Sequence, residues 1–392
     1  MGPPDRTAEA LALLEAAWRP PGFCVPNPDT YPFQWLWDSC FHAVVWARLG
    51  RPDRAQRELE SLFARQRADG FVPHVVYWAD PEHHADFWGR AGESVLTQPP
   101  MFGHALAVLA DEAAARGEAG GGRVEGGAAG GTELEPLAER ARAGLWHLVA
   151  VRRRSPAGLV SVLHPWETGC DDSLRWDDWA GAGGGAPFDR ERWRSIKADL
   201  VSALDVDDDG VPRGSSGFEV GSVAFTALVA WNIRELDRVG LADARLREAA
   251  DELVAALADR WDGTTWVDDP VVGGVGVSSR ARTLEALLPV LVEERPEVRD
   301  EVARQLTDST DFGAPFGPRG AHRDEAAADP DGYWRGSTWP QLLYLLEAAG
   351  LETSLRAAAV SAEWSEYWNP ETGRGRGARP QTWTLLGALP AR

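Results

Sequence analysis

The feature that most constrains the fold is a helical spacing of apolar residues that recurs along most of the chain. In residues 8–18, for example, apolar side chains return every three or four positions, with charged residues between them. This is the pattern of a helix that buries one face. The same spacing predicts further helices, several in closely spaced pairs, over 41–49, 52–67, 101–115, 133–151, 218–239, 242–260, 281–293, 296–306, 339–349 and 351–367.

The loops between the helix pairs are rich in tryptophan, glycine, aspartate and proline. An array of helical hairpins that closes into a double ring would gather these long loops at one end, where a pocket can form. Evidence for strands is limited to short hairpin pieces at 72–77 and 265–277, and nothing indicates a parallel sheet. The glycine-rich stretch 117–131 predicts a flexible loop, and 181–185 predicts a mobile flap or a plain linker. We otherwise expect one domain over residues 1–392.

Charge and composition exclude several classes of function. The chain carries 40 basic and 60 acidic residues, a net charge of −20, which repels phosphate backbones and anionic membranes. No apolar run is long enough to span a bilayer. The three cysteines have no paired spacing and the first residues lack a secretory pattern, so a cytoplasmic location is expected. Lys197 is the only lysine, which we interpret as compositional bias.

Tryptophan is unusually frequent, with 19 residues against 5 tyrosines. Many of these tryptophans lie in polar loops punctuated by glycine and proline. A pyranose offers C–H faces for stacking and a rim of hydroxyls, so flat apolar rings beside carboxylates are typical of a sugar site. The alternative is that the rings only fill the core of a helical protein.

Two segments combine carboxylates with aromatic or glycine-rich surroundings. Residues 164–177 contain Glu167, Asp171, Asp172 and Asp177 together with two tryptophans, so one carboxyl can lie in the apolar environment that a general acid requires. In 368–377, Glu371 lies between a proline and several glycines and presents a single carboxylate, as a general base would. The alternatives are a solvated acidic face and a structural turn.

Four segments together resemble glycoside hydrolase family 63, in particular its compact bacterial enzymes similar to mannosylglycerate and glucosylglycerate hydrolases. They are QWLWD at 34–38, HPWE followed by Gly-x-Asp at 164–171, YWRGSTWP at 333–340 and NPETG at 369–373, and they occur in the family's order. The resemblance implies an all-α (α/α)6 toroid, a six-hairpin barrel with short β-hairpins in its loops. It also implies an inverting, exo-acting α-glycosidase of small α-glucosides or α-mannosides that needs no metal and no organic cofactor.

By the same resemblance, Asp171 is the general acid and Glu371 the general base. Inversion needs two carboxyls about 6.5–9.5 Å apart, one for the leaving oxygen and one for water. The expected substrate contacts are Tyr31, Trp37, Asp38, Gln98, Trp166, Glu167, Tyr333, Trp334, Arg335, Trp339 and Trp383. Glu167 is also the rival candidate for the acid.

The chain departs from the family pattern at two points. Asp172 follows the acid where the family usually has asparagine, and it either couples to Asp171 as a like charge or points away from it. Family members that cleave glycerate conjugates grip the glycerate with an arginine and a tyrosine from a mobile loop. Here arginines follow Asp171 at 175, 190, 192, 194 and 213, but no tyrosine follows until Tyr333. The identity of the aglycone therefore stays open, and glycerate is one candidate.

Other interpretations of the sequence remain. Another helical-toroid sugar enzyme, an epimerase or isomerase, generally uses histidine bases, and His164 is the one histidine of the four segments. A catalytically inactive carbohydrate-binding protein would keep the tryptophans and lose the chemistry. Asp205–Gly210 imitates the start of a calcium loop, but Ser216 occupies the twelfth position, where a glutamate is required. An acidic turn is the preferred reading there, and His83 and His84 lack spaced metal-binding partners.

Overall fold

The structure is a computed structural model that describes residues 6–119, 131–182, 187–273 and 280–390. Its α-helices are α1 (Thr7–Ala17), α2 (Leu36–Arg48), α3 (Pro52–Phe63), α4 (Ala85–Trp88), α5 (Phe102–Ala119), α6 (Gly131–Trp146), α7 (Asp177–Ala180), α8 (Arg190–Ser202), α9 (Val223–Arg238), α10 (Ala244–Ala258), α11 (Pro296–Thr307), α12 (Pro340–Ala348) and α13 (Leu355–Ser361). Tighter 3₁₀ segments include Pro165–Thr168, Leu174–Trp176, Glu285–Leu291 and Thr382–Ala388. No helix within the described ranges is both long and apolar enough to cross a membrane.

Short strands connect the helices. They are β1 (Trp18–Arg19), β2 (Phe23–Cys24), β3 (Gln34–Trp35), β4 (Val75–Val76), β5 (Ser161–Val162), β6 (Leu204–Val206), β7 (Pro212–Ser215), β8 (Glu219–Gly221), β9 (Asp269–Val272), β10 (Tyr367–Trp368) and β11 (Gly375–Arg376). These strands pair antiparallel, as two-stranded ribbons and one three-stranded sheet in the order β5-β8-β9. The predicted strand regions 72–77 and 265–277 contain β4 and β9.

The chain contains two compact units. The first comprises Met1–Val151, Val229–Asp251 and Ala388–Arg392, and the second comprises Arg152–Leu228 and Glu252–Gly387. In the first unit, α2 is buried on nearly every side and packs against the amphipathic α3 and against α5. In the second unit, the largely buried α12 packs against the 3₁₀ segment 285–291 and against α13. A helix that is apolar all round is a core helix, and a helix with one charged face lies outside it.

Helix ends differ from the predicted ranges where the local backbone prevents continuation. The predicted helix 281–293 is a 3₁₀ segment with Pro289 inside it, and proline supplies no amide hydrogen for a regular α-helix. The predicted helix 351–367 stops at Ser361, because Glu363 and Trp364 adopt positive φ angles of 52° and 58°. The chain then extends into β10, which brings Tyr367 beside the candidate base segment.

The helix α8 was not predicted from the apolar spacing. Its buried residues are Trp193, Lys197 and Leu200, so they have the required helical spacing. A lysine occupies the middle inward position, and a charged residue at that position breaks the apolar pattern from which a buried helix face is recognised.

Two glycine-rich predictions lie mostly outside the described residues. Residues 117–119 end α5 and residue 131 begins α6, whereas 120–130 are not described; of the second stretch, 183–185 are not described. The calcium-like sequence falls in the turn between β6 and β7. There Asp207 accepts hydrogen bonds from the Asp209 and Val211 amides and pairs with Arg213, so its carboxylate serves the acidic turn.

A buried polar cluster of Cys24, His42 and Glu58 ties β2, α2 and α3 together in the first unit. Each of the two Glu58 oxygens accepts a hydrogen bond of 3.0 Å from the Cys24 amide, and one lies 3.4 Å from His42 Nδ1. Across the described ranges, this is the one group whose side-chain atoms lie close enough to share a metal ion. Hydrogen bonding within the cluster accounts for the buried carboxylate without an ion.

We predict that Glu58→Ala lowers the free energy of unfolding by about 3 kcal/mol, because it removes the buried acceptor for the Cys24 amide and His42. Glu139→Ala, on the exposed face of α6, is the matched control and changes stability by less than about 0.5 kcal/mol. Guanidinium chloride unfolding compares the two variants. Equal losses would contradict a structural role for the cluster.

Candidate active site

The 164–177 segment is built as a compact loop with its own anchors. His164 caps the 3₁₀ turn Pro165–Thr168, and Gly169 reverses the chain with a φ of 74°, a conformation that glycine adopts without strain. The Trp176 indole then donates a hydrogen bond of 2.8 Å to the Cys170 carbonyl. These contacts fix the backbone on both sides of the two consecutive aspartates.

His164 is a structural residue in this loop. Its Nδ1 accepts a hydrogen bond from the Trp166 amide at 3.0 Å, and its Nε2 lies 2.8 Å from the Lys197 carbonyl. Since a carbonyl can only accept, Nε2 carries the proton and both ring nitrogens are used. Burial lowers the pKa of His164 to about 3. This histidine is therefore unsuited to the role of a base in a sugar epimerase.

Glu167 is enclosed by hydrogen-bond donors. Its two carboxylate oxygens accept from the two Arg152 Nη atoms at 3.0 Å each, and Oε2 also accepts from the Leu163 amide at 2.7 Å. Only 1% of the side chain is exposed. Both oxygens are occupied by these donors, so the position of Glu167 favours a structural role over the expected contact with substrate or the role of the acid.

Asp171 is the most exposed carboxylate of the segment. Its side chain is 16% exposed, against 1% for Glu167, 3% for Asp172 and 11% for Asp177. Lys197 Nζ forms a short contact with Asp171 Oδ2 and donates to Asp172 Oδ1 at 2.6 Å. One ammonium group therefore bridges the two neighbouring aspartates.

A second cation completes this cluster. Arg190 Nε donates to Asp172 Oδ2 at 3.0 Å. Burial and the adjacent Asp171 raise the pKa of Asp172, while Lys197 and Arg190 oppose that shift. Burial acts against the charge of Lys197, but the two aspartates more than compensate and raise its pKa. The cluster thus contains two carboxylates and two cations.

Arg335 is also an internal brace. It forms a bidentate pair with Asp177 at 2.8 and 2.9 Å, donates to the Asp172 carbonyl at 3.2 Å, and lies 3.9 Å from the centre of the Phe188 ring. The guanidinium is buried. Its expected role in binding sugar hydroxyls is not supported by this position, because its donors serve the loop that carries the aspartates.

The aromatic residues of 332–340 form a stack with a neighbour that the sequence analysis did not include. The Trp334 and Trp339 rings lie 3.5 Å apart and nearly parallel, and the Tyr367 ring stacks on Trp339 at 4.6 Å. Trp339 is fully buried, and Trp383 packs against its edge and is also buried. These two tryptophans support the stack, and the expectation that they touch sugar is not supported by their burial.

Two aromatic rings keep partial exposure near the acid. Trp166 is half-buried, with Lys197 Nζ 5.9 Å from its ring centre. Tyr333 is also half-buried, and the Arg190 guanidinium lies 4.5 Å from its ring centre. An arginine and a tyrosine thus meet beside the aspartates, although they are far apart in sequence.

Glu371 lies in the turn between β10 and β11. The Asn369 side chain accepts a hydrogen bond of 2.9 Å from the Glu371 amide, and Gly373 has a φ of 68° with the Phe316 ring only 2.5 Å from where a Cβ would lie. Arg319 donates to Glu371 Oε1 from Nε at 2.7 Å. The Glu371 side chain is 44% exposed, so the carboxylate is oriented by a cation and remains accessible.

The four expected contacts from the first half of the sequence lie in the first unit. The Trp37 amide and Gln98 Oε1 are 3.5 Å apart, which joins two of them directly. Trp37, Asp38 and Gln98 are buried, and Tyr31 is half-buried with its ring edge-on to Trp35. Asp38 and Trp37 belong to the first turn of α2, which fixes both side chains on a core helix.

Comparison with known proteins gives consistent matches over most of the chain. A family model described as the mannosylglycerate hydrolase MGH1-like glycoside hydrolase domain matches residues 31–384. A mannosylglycerate hydrolase of Thermus thermophilus is 29% identical over 94% of this chain and 96% of its own. The glucosylglycerate hydrolase of Mycolicibacterium hassiacum is 26% identical over 92% of each chain.

Solved structures agree with these relatives. The crystal structure of a GH63 mannosylglycerate hydrolase from Thermus thermophilus in complex with glucose gives a TM-score of 0.78 at 26% identity and covers 98% of this chain and 99% of that one. The complex of the same crystallised enzyme with Tris and D-glycerate gives 0.77 at 25% identity over the same shares. These matches confirm the predicted all-α (α/α)6 fold class.

The fold and the matched sequence define a glycoside hydrolase. The chain belongs to the mannosylglycerate hydrolase MGH1-like family within glycoside hydrolase family 63. The resemblance read from the four sequence segments is therefore confirmed. The sequence analysis missed four residues that contact the candidate site residues: Arg152, Lys197, Arg319 and Tyr367. They lie outside the tryptophan- and carboxylate-rich motifs or at the edge of one.

We predict that Glu167→Gln destabilises the protein by about 3 kcal/mol, because it leaves the buried Arg152 without its charged partner. Activity should fall to the same extent on substrates with good and poor leaving groups. Glu191→Gln, at an 81% exposed position, is the control and should retain both stability and activity. A Glu167 variant of normal stability that loses activity only with poor leaving groups would reinstate this residue as the acid.

Proposed function

We propose that the enzyme is an exo-acting α-glycosidase that hydrolyses a small α-glucoside or α-mannoside with inversion, using Asp171 as general acid and Glu371 as general base. The observation that carries the assignment is accessibility. Asp171 and Glu371 are 16% and 44% exposed, whereas the other carboxylates of the 164–177 segment are more deeply buried in ion pairs. A catalytic carboxyl must reach substrate and keep an orienting partner, and both residues meet these conditions.

The reaction follows from these two roles. Asp171 gives its proton to the glycosidic oxygen, and the electron pair of the breaking C1–O bond passes to that oxygen. Glu371 takes a proton from a water molecule, whose oxygen attacks C1 from the opposite face. The product sugar is released as the β-anomer. Arg319 holds Glu371 through Oε1, which fixes the direction of the base.

A carboxylate-bearing aglycone, such as glycerate, is the second part of the proposal. Relatives at 26–29% identity are named as mannosylglycerate and glucosylglycerate hydrolases. In this chain, Arg190 is 51% exposed and its guanidinium lies 4.5 Å from the centre of the Tyr333 ring. It also donates a hydrogen bond to Asp172, the residue that follows the proposed acid. A guanidinium on an aromatic face can pair with a carboxylate on the leaving-group side.

Two expectations about the whole chain belong to the same proposal. One catalytic domain over residues 1–392 is supported by the single family match that extends from 31 to 384. A cytoplasmic location is supported by the three cysteines, all of which are free and buried, since free thiols persist in reducing compartments.

We predict that the two catalytic variants differ in their dependence on the leaving group. Asp171→Asn should lose ~10² to 10⁴-fold in kcat on an alkyl α-glycoside and retain measurable hydrolysis of the α-glycosyl fluoride, because fluoride needs little protonation to leave. Glu371→Gln should lose activity on both substrates, because water still needs a base.

Proton NMR of the wild-type reaction supplies the stereochemical control. A β-anomer as the first product supports inversion, and a first-formed α-anomer contradicts it. An epimerised sugar without bond cleavage, or disaccharide binding without any turnover, would favour the rival interpretations of the sequence.

We further predict that Arg190→Ala raises KM for a glycerate conjugate by ~10 to 100-fold, since a charge-assisted hydrogen bond is worth about 1.5–3 kcal/mol. The KM for the α-glycosyl fluoride should change by less than about 3-fold. Arg192→Ala, an exposed arginine two residues along α8, is the control. Parallel kinetics with α-glucosyl and α-mannosyl glycerate measure both the aglycone effect and the sugar preference.

A further inference from the structure

The only lysine of the chain lies next to the proposed acid. Of 40 basic residues, Lys197 alone is not arginine. It occupies an inward position of α8 between Trp193 and Leu200, with 7% of its side chain exposed. Burying an ammonium group costs free energy unless it is fully paired. The chain uses arginine at every other basic position, so a lysine at this buried position beside Asp171 indicates that a guanidinium does not fit there.

The local geometry shows what that requirement is. The Lys197 ammonium contacts Asp171 Oδ2 and Asp172 Oδ1, and it lies 5.9 and 5.8 Å from the centres of the Trp166 and Trp193 rings. An ammonium group is a compact charge with three donors, whereas a guanidinium is a broad planar fork. The gap between two adjacent aspartates and two indoles favours the compact cation.

The charges around the acid are nearly balanced. Asp171 is bridged by Lys197 to Asp172, and Asp172 is also held by Arg190. Behind these groups, further charged residues have partners of their own. They are Arg335 with Asp177, Arg175 with Asp268, and Glu285 with the Ser173 hydroxyl. The neutral imidazole of His164, the buried Cys170 thiol and the half-buried Tyr333 also lie near this cluster.

We propose that Lys197 is the positioning residue of the general acid. It fixes the Asp171 carboxyl and stabilises the carboxylate that remains after the proton has passed to the leaving oxygen. Asp172 is the second carboxylate that the ammonium contacts, and it shares the positive charge with Asp171. Lys197 itself transfers no proton: the Asp171 O–H bond breaks, a new O–H bond forms on the glycosidic oxygen, and the C1–O electron pair leaves with that oxygen. This inference rests on the proposed function of Asp171.

Replacing the two partners of Asp171 should shift the pH profile in opposite directions. Lys197→Met should move the alkaline limb of kcat/KM to higher pH and lower kcat on an alkyl α-glycoside by ~10 to 100-fold, part of the ~10² to 10⁴-fold contribution of an acid. Asp172→Asn should move the same limb to lower pH, because Lys197 then acts on Asp171 alone. Hydrolysis of the α-glycosyl fluoride should fall much less in either variant.

Matched variants separate electrostatics from structure. Arg194→Met removes a positive charge from the exposed face of the same helix, where the side chain is 63% exposed, and should leave the profile unchanged. Lys197→Arg should keep the position of the alkaline limb, because the charge is retained, with a reduced kcat from the altered geometry. Should Lys197→Met fold poorly, the double variant Lys197→Met/Asp172→Asn removes both charges and should restore folding. In that variant the alkaline limb should lie between those of the two single variants.

Because the chain has one lysine, labelling with [ε-¹³C]lysine gives a single side-chain NMR signal that needs no turnover. The pH dependence of this signal should differ between the wild type and Asp171→Asn, because the substitution removes one of the two carboxylates that the ammonium contacts. An identical titration in wild type and Asp171→Asn would overturn the inference. So would equal losses on glycoside and fluoride with an unmoved alkaline limb in Lys197→Met. Absence of hydrolysis in the wild type, together with a lysine signal that differs between the wild type and Asp171→Asn, would overturn the proposed function and leave the electrostatic coupling in place.

Discussion

The 164–177 loop of the second unit depends on the pairing of two buried carboxylates with cations from other parts of the chain. Arg152 holds Glu167, and Arg335 holds Asp177. Breaking such a pair costs about 3–5 kcal/mol because it leaves a charge buried and alone. Each pair therefore fixes a loop segment that its short 3₁₀ turns alone would not hold. The two carboxylates assigned to catalysis lie at the margin of this network, where a partner orients them without enclosing them.

Much of the helical architecture could be predicted from apolar periodicity, because core helices such as α2 and α12 are buried on nearly every side. The failures have local causes. Pro289 converts a predicted α-helix into a 3₁₀ segment, and two residues with positive φ end α13 early. The helix α8 escaped recognition because its central inward residue is Lys197. A charged residue on the buried face interrupts the apolar pattern by which a helix is recognised. At this position the side chain forms ion pairs instead of apolar contacts.

The candidate site was predictable at the level of segments and less so at the level of side chains. Clustering of tryptophans and carboxylates indicated the right loops. Which members are accessible depends on partners distant in sequence, such as Arg335 for Asp177, 158 residues apart. Likewise, Trp334 and Trp339 were expected to stack against a sugar, but in the structure they stack against each other and against Tyr367. Composition within a loop cannot show whether an aromatic ring faces a ligand or another ring.

The bridge formed by Lys197 also constrains how this lineage can diverge. Loss of the lysine first would leave Asp171 and Asp172 facing each other across a buried gap, whereas loss of Asp172 first leaves the lysine paired with Asp171. The substitution of Asp172 must therefore come before the loss of Lys197. A chain in which asparagine first replaces Asp172 can lose the lysine afterwards, whereas the reverse order passes through a destabilised intermediate. Positions 172 and 197 should consequently evolve as a coupled, directional pair.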